Sequence, residues 1–513
     1  MLVLPDARGQ RLGGNAFMHN NRPFSRRSFL AAGAGATAAA LGATVAPAAL
    51  PAEPCAPEDA NGGSKSKGIT RQVAEWVVNS RAADIPAPVR KEAVRSVVNS
   101  IAATMGGSAD DAVGIALRTL KPFSGPATAS LFGRSERLDP LTAALINGIS
   151  SHVLDDDDTE LRTIIHPAGL VASALFSLAA VRPISGAQFL HAFIVGTQVE
   201  CRLGNAIYPS HYDLGWHITA TCGVFGAAAA CGKILGLDAE KMTWALGTAA
   251  IQAAGLKVVF GSMGKAFQVG RAGQNGLLAA LLASEGFTSS DVPLEGFDGY
   301  FHAAARHHDD SELVENLSGH YEISTNTYKP FPCGVVIHPA IDAAIQFSRE
   351  LHLKPDQIAA VELRCNPQVL ILTGKPAPRT GLEGKFSVYH AVAIALIRGH
   401  VGLAEFTDQA VQDPQVVALR GKIKVTTDAS IRNDEAYLTL KTTDGRTYEK
   451  HVEHALGSLN RPLTDADLDE KYHGLVNGIL PEAQAARLLD LCWKLESLPD
   501  ALAIPRAGAA SAA

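Results

Sequence analysis

From Ile69 onward, apolar residues recur at three- and four-residue spacing, the period of helices that bury one face. The pattern predicts helices over Ile69–Ser80, Val89–Met105 and Ser108–Leu120, then a short strand over Ala127–Phe132. It continues with helices Pro140–Leu154, Pro167–Val181, Ser185–Tyr208, His217–Leu235, Asp238–Gly255 and Arg271–Glu285. Near Ser324 the period changes. Lys329–Gly334 is a punctuated loop and His338–Leu351 a helix. Two-residue alternation then predicts strands Ile358–Arg364, Ile423–Thr427, Tyr437–Thr442 and Tyr448–Val452, the last two joined by a turn at Thr443-Asp444-Gly445-Arg446. Helical spacing returns over Thr464–Tyr472 and Pro481–Leu495. The expected architecture is mostly α. A large all-helical domain spans 69–325, a smaller α+β lid domain 326–462, and residues 463–500 close the helical domain. The small residues of 501–513 read as a disordered tail.

Composition narrows the class. Of 513 residues 47% are hydrophobic and 19% charged, the balance of a globular chain. The net charge of −6 comes without a basic stripe, so no nucleic-acid partner is expected. Aromatics are sparse and Ala and Gly abundant, which suits closely approaching helices. The seven cysteines include no CxxC pair and read as free thiols.

The N-terminus stands apart. Ser25-Arg26-Arg27-Ser28-Phe29-Leu30 precedes an apolar Ala/Gly-rich run and small-residue cleavage sites at Ala46-Pro47-Ala48 and Leu50-Pro51-Ala52. The run is too weakly hydrophobic to read as a membrane span. Residues 1–52 are expected to be a twin-arginine signal peptide and 53–68 a flexible leader. The mature protein is expected in the periplasm or medium, with no membrane association after signal removal.

The chemistry-bearing stretch is His152 to Pro167, which holds Asp155–Asp158, Thr159 and His166 between two apolar helices. Four aspartates invite a hard cation, but the spacing of a calcium loop is missing, so no metal is expected. A solvated loop capping the next helix is the bland alternative, with Asp158 as cap. The flanking histidines favour proton transfer, since imidazole titrates near neutrality. Gly215-Trp216-His217 places His217 at a helix start, suited to a neutral base or to an anion. Gly264-Lys265 and Arg271 lie in a Gly-rich segment that fails the phosphate-loop pattern but suits a carboxylate. Lys329 lies at the domain junction, and Lys385-Phe-Ser-Val-Tyr389-His390 opens an apolar helix. No nucleophile elbow and no dinucleotide fingerprint is present.

These stretches, in this order, resemble the MmgE/PrpD family, which includes 2-methylcitrate dehydratases, cis-aconitate decarboxylases and iminodisuccinate epimerases. The resemblance is carried by Asn147–His152 running into Asp155–Thr159 and His166-Pro167, Gly215-Trp-His217, Gly264-Lys265, Lys329-Pro-Phe-Pro-Cys333 and Lys385–His390. It implies a homodimer with a helical domain and an α+β lid, acting without metal or organic cofactor on a small carboxylate. The implied activity is a lyase of the dehydratase type on a di- or tricarboxylate, by proton abstraction next to a carboxylate. An epimerase, and a non-catalytic periplasmic carboxylate-binding protein, are the alternatives. The resemblance implies His166, His217, Asp155, Thr159 and Lys265 as catalytic positions, and Lys329 as an active-site position. Lys329, Arg271, Tyr389 and His390 are expected to bind substrate, and His152 to pack beside the site at its helix end. Three departures stand out. Asp156 replaces the family's aromatic, and the gap to His166 is one residue longer than in the decarboxylases. Gly334 falls where those decarboxylases carry a His, which favours dehydration over decarboxylation.

Overall fold

The structure, a computed structural model, describes residues 68–511. The expected twin-arginine segment 1–52 and all of the leader but its last residue lie outside the described residues. Six cysteines are described, all free and buried.

The helical domain is built around three helices, Pro140–Val153, Ile218–Leu235 and Gly264–Ser284, flanked by Ala87–Gly107, Ala168–Ala179 and Gly186–Ile207. Small residues let these backbones approach. A Cβ on Gly148 would lie 2.7 Å from the Gly270 Cα, so Pro140–Val153 and Gly264–Ser284 cross in backbone contact. That crossing puts His152, one turn beyond Gly148, and Lys265, at the start of the partner helix, on the same site. Among the described residues one helix, Ile218–Leu235, is long and apolar enough to cross a membrane, and it is a core element, 83% buried.

The lid holds a four-stranded sheet. Ile358–Cys365 pairs parallel with Ile423–Thr427 and antiparallel with Ala436–Thr442, which pairs with Thr447–Val452. Alternating burial along Ala436–Thr442 turns one face onto helices His338–Leu351 and Val388–Arg398. The hydrophobic pattern predicts all four strands to within one or two residues.

Two differences matter. Asp158–Glu160 is a short strand, paired antiparallel with Asn326–Tyr328. This ladder ties the acidic stretch to the domain junction 168 residues away. The carboxylates are therefore buried between elements and form no solvated loop. Second, the expected disordered tail contains a helix, Ala503–Gly508. Ile504 and Pro505 are buried, and the Gly133 N–H donates to the Gly508 carbonyl, so apolar burial orders this segment.

Candidate active site

The Pro140–Val153 helix ends at Leu154, and Asp155 turns the chain with φ +55°, a conformation Asp tolerates better than most residues. The turn directs the following carboxyls inward, where all four are buried. Buried carboxylates need partners, and three lysines pair with them while a fourth lies beside them. Lys265 Nζ lies 2.7 Å from Asp155 Oδ1, and Lys329 Nζ lies 2.9 Å from the same oxygen and 3.3 Å from Asp157 Oδ1. Lys471, from the closing helix Asp465–Val476, lies 3.2 Å from Asp156 Oδ1. Lys385 donates to the Leu154 carbonyl.

The charges follow from this geometry. Burial pushes the Asp155 carboxyl up, but Lys265 and Lys329 outweigh it and hold it well below the usual carboxylate range. Burial likewise works against Asp157 ionisation, but the Lys329 ammonium and the hydrogen bond with His152 hold its carboxyl well below the usual range. Asp156 is raised by burial in spite of Lys471. Asp158 is raised by burial, and further by Asp157, to about 7. Its oxygens accept from Asn326 (2.6 Å), Ser96 (3.1 Å) and the Ala168 N–H (3.3 Å), so it does cap the next helix. Burial lowers Lys385 to about 8, while Lys329 is raised because Asp155 and Asp157 outweigh its burial.

Three histidines cluster beside the carboxylates. His152 Nδ1 lies 2.5 Å from Asp157 Oδ2, and its ring sits between His166 and His217 at centroid distances of 5.3 and 5.8 Å. His166 Nδ1 lies 2.6 Å from the Asp158 carbonyl oxygen, an acceptor only, so Nδ1 carries the proton. The Thr159 hydroxyl, 3.1 Å away, shares that side of the ring. His166 Nε2 is thereby left as a lone pair. His217 has the opposite tautomer. The Gln268 carbonyl oxygen accepts from the Leu256 N–H at 2.9 Å, which turns the amide NH2 toward His217 Nδ1 at 2.6 Å. His217 Nδ1 is then an acceptor, and Nε2 carries the proton. Burial keeps both rings neutral, lowering His166 to about 3 and His217 well below its ordinary value.

Asp155, His166, His217, Lys265 and Lys329 line one cleft with Phe260, Gly334, Val335 and Phe386. Its volume is about 40 Å³, room for about three waters. Asp155, Asp157 and His166 offer ligand atoms within 4.8 Å of one another. Of these groups, Asp155 Oδ1 is already held by Lys265 and Lys329, and His166 Nδ1 by the Asp158 carbonyl.

The structure thus brings together the five expected catalytic residues and Lys329. It places three other expected residues elsewhere. Arg271 is exposed and bonded to Gln274. Gly264–Ser284 begins earlier than the pattern predicts, and six residues beyond Lys265 lies about 240° around the helix. His390 donates Nε2–H to the Glu405 carbonyl at 2.8 Å and packs on Phe406. Tyr389 packs against the lid core. The reason is the Ser387 cap, which accepts the His390 N–H at 3.1 Å and starts the helix there. From that motif it is Phe386, before the cap, that lines the cleft, with Lys385 bonded to the Leu154 carbonyl beside Asp155. Sequence reasoning also passed over Gln268, Asp157 and Lys471. Gln268 stands three residues from Lys265 on the same helix face, a signal that was legible; Lys471 carries no local signal.

The comparisons agree with this architecture. The MmgE/PrpD N-terminal domain matches residues 71–312 and the MmgE/PrpD C-terminal domain residues 331–495. The chain is 27% identical over 475 residues to a cis-aconitate decarboxylase of Aspergillus terreus, covering 86% of this chain and 96% of that protein. It is 27% identical over 455 residues to the cis-aconitate decarboxylase of Homo sapiens, covering 85% and 93%. With the 2-methylcitrate dehydratase of Escherichia coli (strain K12) it shares 24% over 405 residues, covering 72% and 82%. From residue 71 to residue 495 the chain belongs to the MmgE/PrpD family, and it is an enzyme of the lyase type.

Proposed function

We propose that the protein removes a proton from carbon next to a carboxylate of a small di- or tricarboxylate and expels water from the adjacent carbon, without metal or organic cofactor. The observation that carries this reading is the pair of opposed histidine tautomers in one lysine-rich cleft. His166 Nε2 takes the proton. The electron pair left on carbon spreads into the carboxylate, which Lys265, Lys329 and Lys385 hold. His217 Nε2–H donates to the developing oxyanion as a neutral imidazole, a role its place at the start of Ile218–Leu235 favours. The carbon–oxygen bond then breaks, and the hydroxyl leaves as water with the proton from His166. His166 ends neutral, and the products are an alkene and water.

Loss of carbon dioxide is the second reading, favoured by the decarboxylase relatives. Gly334 at the cleft argues against the version that uses a His there, because a Cβ at this position would already lie 2.8 Å from Thr373 Cγ2. Hydrogen–deuterium exchange followed by NMR across a panel of di- and tricarboxylates tests the proton step, and product analysis separates alkene, carbon dioxide and inverted centre. Absence of exchange on every compound with folded protein would sink the proposal and leave the carboxylate-binding alternative. We further propose a homodimer exported by the twin-arginine pathway.

A further inference from the structure

A second cavity adjoins the cleft. Its volume is about 120 Å³, and it shares Ile164, Lys329, Val335 and Val336 with the cleft wall. Its lining is mostly apolar, with Leu161 on one side and Ala455 and Leu456 of the lid on the other. Lys329 contributes only its stem, since its ammonium group is engaged by Asp155 and Asp157.

The dividing residue is held in an unusual conformation. Ile164 has φ +65°, which a β-branched residue rarely adopts. Glu160 pins the loop that enforces it: its carboxylate accepts from the Arg162 N–H (2.9 Å), the Thr163 N–H (2.9 Å) and the Thr163 hydroxyl (2.6 Å). The Ile164 N–H donates to the Glu160 carbonyl at 2.9 Å. Strain kept in place by such bonding belongs to a site that needs the side chain there. This is the same loop whose length sets the spacing between Thr159 and His166.

The geometry points to a substrate with an alkyl arm: a polycarboxylate whose carboxylates meet the lysines while an apolar chain passes Ile164 into the second cavity. The inference rests on the proposed carboxylate chemistry of the cleft. A cavity of about 150 Å³ takes up benzene, so this one accommodates a chain of about four carbons. Each methylene moved out of water into an apolar site strengthens binding by roughly fourfold.

The test is a homologous series of alkyl-substituted citrates, from unsubstituted to hexyl, with Kd read by calorimetry and turnover by product formation. Affinity is expected to rise roughly fourfold per methylene and to level or fall beyond about four carbons. Ala455→Leu and Ser458→Leu fill the cavity from the lid side and replace none of the aspartates, lysines or histidines of the cleft. They are expected to remove the chain-length gain and to leave the unsubstituted compound unchanged. An affinity that is flat or falling from the first methylene overturns the inference, as does an unchanged profile in both variants, or no binding of any member. Turnover without a chain-length gain leaves the proposed reaction standing and the alkyl site refuted. A gain without turnover or exchange does the reverse.

Discussion

The Gln268 amide nitrogen lies 2.6 Å from His217 Nδ1 and decides which nitrogen of that ring carries the proton. The decision is made at a distance from the reacting atoms, because the amide is itself oriented by the Leu256 backbone. Gln268→Glu replaces a donor with an acceptor and should reverse the tautomer, turning Nε2 from a donor into a lone pair. The expected result is a fall in kcat of roughly 10²–10⁴ with KM little changed. Nitrogen-15 chemical shifts of His217 should show Nε2 protonated in the parent and Nδ1 protonated in the variant. An unchanged tautomer together with a large loss of kcat would refute the assignment.

His166→Ala removes the lone pair that takes the proton. Exchange of the substrate proton should fall by about 10²–10⁴. Because burial lowers His166 to about 3, the base stays unprotonated well below the ordinary histidine range. A pH–rate profile should therefore show no acidic limb near 6.5 from this group. A limb there that vanished in His166→Ala would contradict the burial argument.

Lys385 supplies the opposite limb. Burial lowers its ammonium to about 8, so it is charged below that pH and loses its proton above it. Carboxylate affinity should decline above about pH 8, seen as a rising KM with a smaller change in kcat. Lys385→Arg, which stays charged, should move this limb to higher pH. The same lowering links to stability with the other sign. The unfolded chain binds the proton more tightly, so this group's contribution to folding improves as pH rises from about 8 toward the ordinary lysine value.

Asp155 has a structural role that the acidic run alone does not reveal. Its Oδ1 satisfies Lys265 and Lys329 together. Asp155→Ala leaves two buried ammonium groups facing each other. Unfolding in urea should show a loss of about 3–5 kcal/mol. A tricarboxylate that supplies the missing anion should raise the melting temperature more in the variant than in the parent.

Much of this was legible in the chain. The period of three and four revealed the helices, and alternation revealed the lid strands, because both elements bury one face. Asp155, Thr159, His166, His217, Lys265 and Lys329 are singled out by the resemblance to the MmgE/PrpD family; residue type and position alone mark only the His152–Pro167 stretch as unusual. What stayed hidden depended on direction. Arg271 lies in the right segment on the wrong face, and His390 is turned into the lid by one capping serine. The pairing of Asp158–Glu160 with Asn326–Tyr328 has no sequence period at all, since each strand is three residues long. Lys471 reaches Asp156 across 315 positions of sequence.

The proposed homodimer would form on one stretch of exposed apolar side chains. Ile251 is 81% exposed and Val258 83% exposed, and Leu256, Met263 and Phe267 are exposed near them in sequence. Five of the fifteen exposed large apolar side chains among the described residues fall within residues 251–267, a concentration that suits an interaction surface. The stretch also includes Phe260, which lines the cleft, and leads into the helix that carries Lys265 and Gln268. A second copy seated here would bear directly on the site. Sedimentation should give twice the chain mass for the parent and the monomer mass for an Ile251→Asp/Val258→Asp double variant. Activity of the monomer should fall even though no residue in contact with substrate has changed. A parent that sediments as a monomer at micromolar concentration would refute this interface, and a dimeric double variant would place it elsewhere.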